Sequence, residues 1–134
     1  MTNLERFKIQ VLKAVNEGGI TLGMSEKNFL RPCNYKQGYQ VGGFSREILI
    51  NVNDIKNFTN DEWIALYYEV QGLSPFWERV GYNIGLWVND GMLYIELSRR
   101  ILGLKNAMGI ATAKKQKAIW DWKNTQELNM EGVK

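Results

Sequence analysis

The chain of 134 residues contains no histidine. That absence removes Ser-His and Cys-His nucleophilic catalysis and most zinc and non-haem iron centres, all of which need an imidazole as base or ligand. Any chemistry would have to run on carboxylate, lysine or tyrosine groups. Glu96, Asp90 and Asp121 are the carboxylates in view, and each has a plainer reading: a turn residue for Asp90, a solvated or ion-paired side chain for Glu96 and Asp121. The expectation is a protein that is not an enzyme and that takes no cofactor and no metal ion. The single cysteine, Cys33, cannot form an internal disulfide, which suits a reducing compartment and an inert or buried thiol.

No apolar run approaches the roughly 20 residues that cross a bilayer, and Met1-Thr2-Asn3-Leu4-Glu5 has neither a basic n-region nor an apolar h-region. A cytoplasmic protein without a membrane role is expected. There are only two prolines, and there is no internal repeat, low-complexity stretch or Pro/Ser-rich linker, so a single domain over 1–134 follows. What is present can build a core, since hydrophobic residues make up 45% and charged ones 23%, which argues against wholesale disorder. Seventeen Lys and Arg face fourteen Asp and Glu, a net +3 that mildly favours anionic partners and argues against an acidic mimic of DNA.

Periodicity supplies the elements. Leu4, Phe7, Val11, Leu12 and Val15 fall on one helical face, Thr2-x-x-Glu5 has the form of a capping box and Gly18-Gly19 is a stop, predicting a helix over 3–16. Residues 20–52 read as short strands and loops: Ile20-Thr21-Leu22, a turn-rich stretch through Pro32, Tyr39-Gln40-Val41, and Ile48-Leu49-Ile50-Asn51-Val52. Thr59-Asn60-Asp61-Glu62 repeats the capping-box form before Trp63, Leu66, Tyr67 and Val70, with Gly72 as stop. Ser74-Pro75 would open a further helical turn anchored by Phe76, Trp77 and Val80.

Two alternating runs flank Asp90-Gly91, the signal for a two-residue type I′ hairpin over 82–98. Setting Asn89 opposite Met92 pairs Val88 with Leu93, Leu86 with Ile95 and Ile84 with Leu97 on a continuous apolar face. The reverse face pairs Trp87 with Tyr94, Gly85 with Glu96 and Asn83 with Ser98, an aromatic and polar surface with a gap at glycine. Leu104, Ala107, Met108 and Ala111 predict a helix over 103–115. Ala118-Ile119-Trp120 has strand character, so 92–122 can form a β-α-β unit. The tail beyond 124 is expected to be partly mobile. The fold class is therefore α+β: a small mixed or antiparallel sheet with a central hairpin, a β-α-β unit and two to three packing helices.

The glycines Gly81, Gly85 and Gly91 and the pairs Gly18-Gly19 and Gly42-Gly43 match neither a P-loop nor a dinucleotide fingerprint. Trp63, Trp77, Trp120 and Trp122 read as core or interface residues. Trp87 differs because the hairpin register sets it beside Tyr94 on the non-core face. Arg99 and Arg100, closing the second hairpin strand before a helix begins near Gly103, would converge with free helix N–H groups on an anion. The plainer reading is two solvated arginines at a strand end. Arg46, Lys114, Lys115 and Lys117 would extend such a patch, or simply complement a helix end.

Gly38-Tyr39-Gln40-Val41, Ile84-Gly85-Leu86-Trp87 with Tyr94-Ile95-Glu96-Leu97-Ser98, and Ala118-Ile119-Trp120-Asp121 together form a pattern. It resembles small phage-encoded proteins whose second half runs iGvW, a turn, YlDvS, an alanine-rich helix and then AiyD. Within that group it is most similar, best over 82–122, to the anti-Thoeris sponge proteins, which oligomerise and sequester cyclic nucleotide immune signals. Glu96 stands where that pattern has aspartate, and 19–60 carry no matching motif, so the ligand residues rest on the hairpin register. The resemblance implies a viral counter-defence protein in the host-cell cytoplasm, a homo-oligomer that binds an anionic nucleotide without turning it over. Trp87 and Tyr94 would then stack the base, Arg99 and Arg100 would hold phosphate with Arg46 nearby, and Asn83 or Asn89 would bond ribose or base edges. Two other readings use the same surface: a direct inhibitor of a phage-defence nuclease, acting through Trp, Tyr and Arg, and a basic nucleic-acid-binding module.

Overall fold

The computed structural model describes residues 1–24, 30–73 and 81–130, so the turn expected at Ser74-Pro75, with Phe76, Trp77 and Val80, lies outside the described residues. Helix α1 (Asn3–Glu17) opens on the expected capping box: Glu5 N donates to Thr2 Oγ1 at 3.1 Å and Thr2 N donates to Glu5 Oε1 at 3.4 Å. It ends at Gly18, whose φ of 95° is left-handed and favours glycine. Strands β1 (Gly19–Met24), β2 (Leu30–Pro32), β3 (Tyr39–Val41) and β4 (Ile48–Asn51) follow, then α2 (Val52–Ile55). Helix α3 (Asn60–Gln71) starts on the second capping box, in which Glu62 N donates to Thr59 Oγ1 at 3.2 Å, and buries Trp63, Leu66 and Val70. The hairpin strands β5 (Tyr82–Asn89) and β6 (Met92–Ile101) lead to α4 (Leu104–Ala113), β7 (Ala118–Asp121) and β8 (Gln126–Asn129).

Among the described residues the strands form one sheet in the order β2-β1-β5-β6-β3-β7-β8, with β4 also paired to β6, and every pair is antiparallel. The β5–β6 register is the one expected, Val88 opposite Leu93 through Asn83 opposite Ser98. Asp90 and Gly91 have φ of 51° and 75°, as a type I′ turn requires. The crossover from β6 through α4 to β7 joins parallel strands that do not touch, because β3 lies between them, antiparallel to both.

The outer edge of β6 is shared. Strand β4 pairs with residues 92–95 and β3 with 99–101, leaving a break at 96–98. Phe44 N donates to Leu97 O at 3.2 Å there, and Leu97 N donates to Ser45 Oγ at 2.9 Å. The backbone groups stay satisfied while the chain of residues 42–47 departs from ladder geometry, which is what later makes room for a side chain.

All the long helices pack on one face. Phe7, Val11 and Ala14 of α1 with Trp63, Leu66 and Val70 of α3 cover Leu22, Ile84, Leu86, Leu93, Ile95 and Leu97. Ala107 and Ala111 of α4 cover Val41, Ile119 and Met130 on the same face, further along. Alternation along β5 and β6 therefore sends the other set of side chains to a face that carries no helix among the described residues.

Three local expectations are corrected. Pro32 lies in edge strand β2 rather than a turn, a position where its missing N–H leaves no ladder bond unmade. Val52 starts α2 instead of ending a strand, since the Asn51 side chain accepts from Asn53 N at 2.8 Å and caps the turn. The tail is ordered through residue 130: β8 pairs with β7 and Met130 N donates to Lys117 O at 2.7 Å, burying Met130. Its mostly polar residues gave no sign of this because an edge strand is held by backbone pairing. No helix among the described residues is long and apolar enough to cross a membrane.

Candidate functional site: a cleft on the helix-free face

Residues Asn83, Gly85, Trp87 and Asn89 of β5 alternate onto the helix-free face, opposite Ser98, Glu96, Tyr94 and Met92 of β6. Gln40 stands opposite both Arg100 and Trp120, so these share the face. Its two halves differ.

The half nearer Arg100 is closed by a buried polar network. Gln40 Nε2 donates to Asn83 Oδ1 and to Ser98 Oγ, both at 2.9 Å, and Gln40 Oε1 accepts from Trp122 Nε1 at 3.1 Å. Asn83 Nδ2 donates to the Tyr35 hydroxyl at 3.2 Å and lies 3.7 Å from Cys33 Sγ. Tyr35 packs edge-on against Trp122 and under the Arg100 guanidinium, 4.4 Å from ring centre to Cζ. Burial pushes the Cys33 thiol up, away from the reactive thiolate. Every member has an internal partner, so this half is structural.

Beyond the network the face opens into a cleft of about 950 Å³, bordered at its closed end by Cys33, Gln40, Ser98 and Trp122 and within the range of small-molecule sites. Trp87, Tyr94 and Trp120 supply aromatic walls, Gly85 and Glu96 lie on the floor, and Lys13, Lys115 and Lys117 stand among its lining residues. Gly19 lets the Trp87 indole lie close against β1, since a Cβ at that position would sit 3.1 Å from the ring. Lys115 and Lys117 flank Gln116 just beyond α4, where the chain turns back toward β7 through a left-handed Lys115, φ 56°.

Glu96 is the most perturbed group in the cleft. Its carboxyl leans away from Gly85 toward Gly42, where a Cβ would collide with Oε1. Oε2 is buried with no hydrogen-bond partner. Desolvation, reinforced by the nearby negative charge of Glu47 and opposed by the Gly43 N–H, pushes its pKa up to about 7. The expected solvated or ion-paired Glu96 is thus corrected: the side chain is desolvated and no cation pairs with it among the described residues. Asp90 sits in the hairpin turn as expected, whereas Asp121 is corrected: it is buried rather than solvated or ion-paired, its Oδ1 accepting from Lys123 N and Asn124 N at 3.1 and 3.3 Å to cap the turn into β8.

The sequence-derived site residues are only partly brought together. Trp87, Tyr94 and Asn89 line the cleft. Asn83 is on the right face, but its amide is used up in the network. Arg99 and Arg100 do not converge, because β6 runs on to Ile101 and successive strand residues point to opposite faces. Arg100 donates to Gln37 O at 3.2 Å at the closed end, and Arg99 lies 5.6 Å from the Tyr82 ring centre on the helix side. Arg46 pairs with Glu69 of α3 at 3.1 Å, also away from the cleft. Lys114 sits on the Phe44 ring, 4.2 Å from its centre, leaving Lys115 and Lys117 as the lysines of that run at the cleft. Lys13 was missed, while Glu96 and Trp120 carried plainer readings, as a solvated or ion-paired carboxylate and as a core or interface residue. For Glu96 a signal was present, since it stands opposite Gly85 between the Trp87–Tyr94 and Asn83–Ser98 pairs on the hairpin's non-core face. Among the described residues no cluster of three His, Cys, Asp or Glu could hold a metal ion. Comparison with models of protein families, with curated proteins and with solved structures found no match for this chain.

Proposed function

We propose that this protein is a non-catalytic binding protein that takes a nucleotide into the helix-free cleft and sequesters it. The observation that carries the reading is the cleft itself: indole and phenol walls for a flat base, a floor left low by Gly85, and lysines for phosphate. The resemblance to phage counter-defence proteins supplies the biological setting, in which the ligand is a nucleotide immune signal and the protein acts in the host cytoplasm. An open cleft on one face is also more completely closed by a second copy, which supports a homo-oligomer.

Isothermal titration calorimetry against linear and cyclic nucleotides tests the reading, with native mass spectrometry reporting subunit number and bound ligand together. Saturable binding that quenches tryptophan fluorescence, and recovery of the ligand unchanged, is the expected result. If no isolated nucleotide binds while a defence nuclease is inhibited, the protein-inhibitor reading replaces this one.

A further inference from the structure

Among the described residues β2, β8 and β4 each pair on one side only, and the three edges are not alike. An unpaired edge invites another strand, and native proteins guard it with charge or proline. Strand β2 carries Arg31 and Pro32, and β8 is Gln126-Glu127-Leu128-Asn129, with one apolar residue. Strand β4 has no charge or proline within it: its run Ile48-Leu49-Ile50 is aliphatic, and Leu49 is 53% exposed.

The ladder fixes which groups that edge presents. Val52 N donates to Gly91 O at 2.9 Å directly beyond the Asn51–Met92 pair, so by alternation Ile48 and Ile50 turn their N–H and C=O toward β6 while Leu49 turns both outward. Helix α3 does not close the edge. Between it and β4 runs a groove of about 350 Å³, lined by apolar Phe58, Ala65 and Leu66 and by Glu47, Glu62 and Glu69. Arg46 pairs with Glu69 and offsets one of these charges, which leaves the groove acidic on a chain of net +3.

We propose that the β4 edge and this groove bind an extended cationic segment of a partner protein, which adds to the sheet as a strand. Main-chain bonds at Leu49 set the pairing, and Lys or Arg side chains lay their stems on Phe58 and Leu66 while their heads reach the glutamates. A second copy of this chain fits less well. Antiparallel two-fold pairing about Leu49 would set the α3 faces that bear Glu62 and Glu69 against each other, like charge on like charge. The groove shares only Glu47 with the cleft lining, so the inference does not rest on the nucleotide reading.

Fluorescence anisotropy with a labelled peptide of alternating Lys and Val tests this, against an alternating Glu and Val peptide and against the Lys-Val peptide with its backbone amides N-methylated. The Lys-Val peptide should bind saturably and about tenfold or more tighter than either control, since strand addition draws its affinity from main-chain bonds. Leu49→Pro removes the outward N–H without breaking a bond to β6 and should weaken binding by a similar factor. Glu62→Gln combined with Glu69→Gln keeps the capping box, which accepts glutamine, and should weaken binding about three- to fivefold at low salt and less at high salt. Should Leu49→Pro lower the melting temperature, the double variant and the peptide controls still decide. Equal binding of the three peptides, retained affinity in both variants, or no binding at all overturns the proposal; so does a dimer that Leu49→Pro dissociates, which would make a second copy the occupant of the edge.

Discussion

A buried carboxyl group held in a sheet, with no cation beside it among the described residues, resists ionisation, and for Glu96 that resistance has a sign that can be measured. Its folded pKa, about 7, lies above the ordinary glutamate value, so between roughly pH 4.5 and 7 the unfolded chain gives up a proton that the folded chain keeps. Stability therefore falls as pH rises through this window and is flat above it. Glu96→Gln removes the penalty. The variant should match the wild type near pH 4 and be more stable at pH 8.5 by on the order of 1–2 kcal/mol, after discounting for the part of the side chain that water still reaches. Urea denaturation at the two pH values checks this, and equal differences at both would show that the carboxyl is solvated. The composition could not reveal it. A glutamate on the polar face of a hairpin reads as surface, and only the approach of Gly42 from a segment over fifty residues away takes its water from it.

Elements whose signals are local were legible in advance. Two capping boxes, one type I′ turn and the two-residue alternation about Asp90-Gly91 specified α1, α3 and the β5–β6 register, because each depends on residues close in the chain. The turn can be tested directly. Gly91 has φ of 75°, so Gly91→Ala should destabilise by about 1–2 kcal/mol through left-handed strain alone, with open space around the added methyl. Thermal denaturation measures it, and no change would mean that the hairpin has slack. Of the elements held by distant pairing, the apolar strands β1, β3, β4 and β7 were legible as strands, but the edge strands β2 and β8 and the full length of β6 were not. Strands β2 and β8 are edges held to neighbours by backbone bonds, and β6 extends to Ile101 because β3 pairs with its last residues. That extension is what separates Arg99 from Arg100.

Across the whole molecule the two faces differ in charge placement, and the difference decides which cations matter. Arg46 and Arg99 lie on the helix side, Lys115 and Lys117 at the cleft. Replacing both lysines by alanine should weaken nucleotide binding about five- to tenfold at low salt and less at high salt, since exposed charges act within a Debye length. The Arg46→Ala, Arg99→Ala double variant should bind within about twofold of the wild type, and the Arg46–Glu69 pair, exposed on both sides, contributes little to stability. Calorimetry at two salt concentrations compares them; stronger loss from the arginine variant would place the ligand on the wrong face. By itself the amino-acid sequence determined the absence of imidazole chemistry, the amphipathic helices, and the register that puts Trp87 and Tyr94 on one side of a hairpin, since these follow from composition and from neighbours in the chain. Tertiary structure alone decided that Asn83 is consumed by Gln40 and Tyr35, that two adjacent arginines part, and that Glu96 is stripped of water at the floor of a cleft. Burial and pairing across a sheet depend on which distant segments meet, and no short-range pattern carries that information.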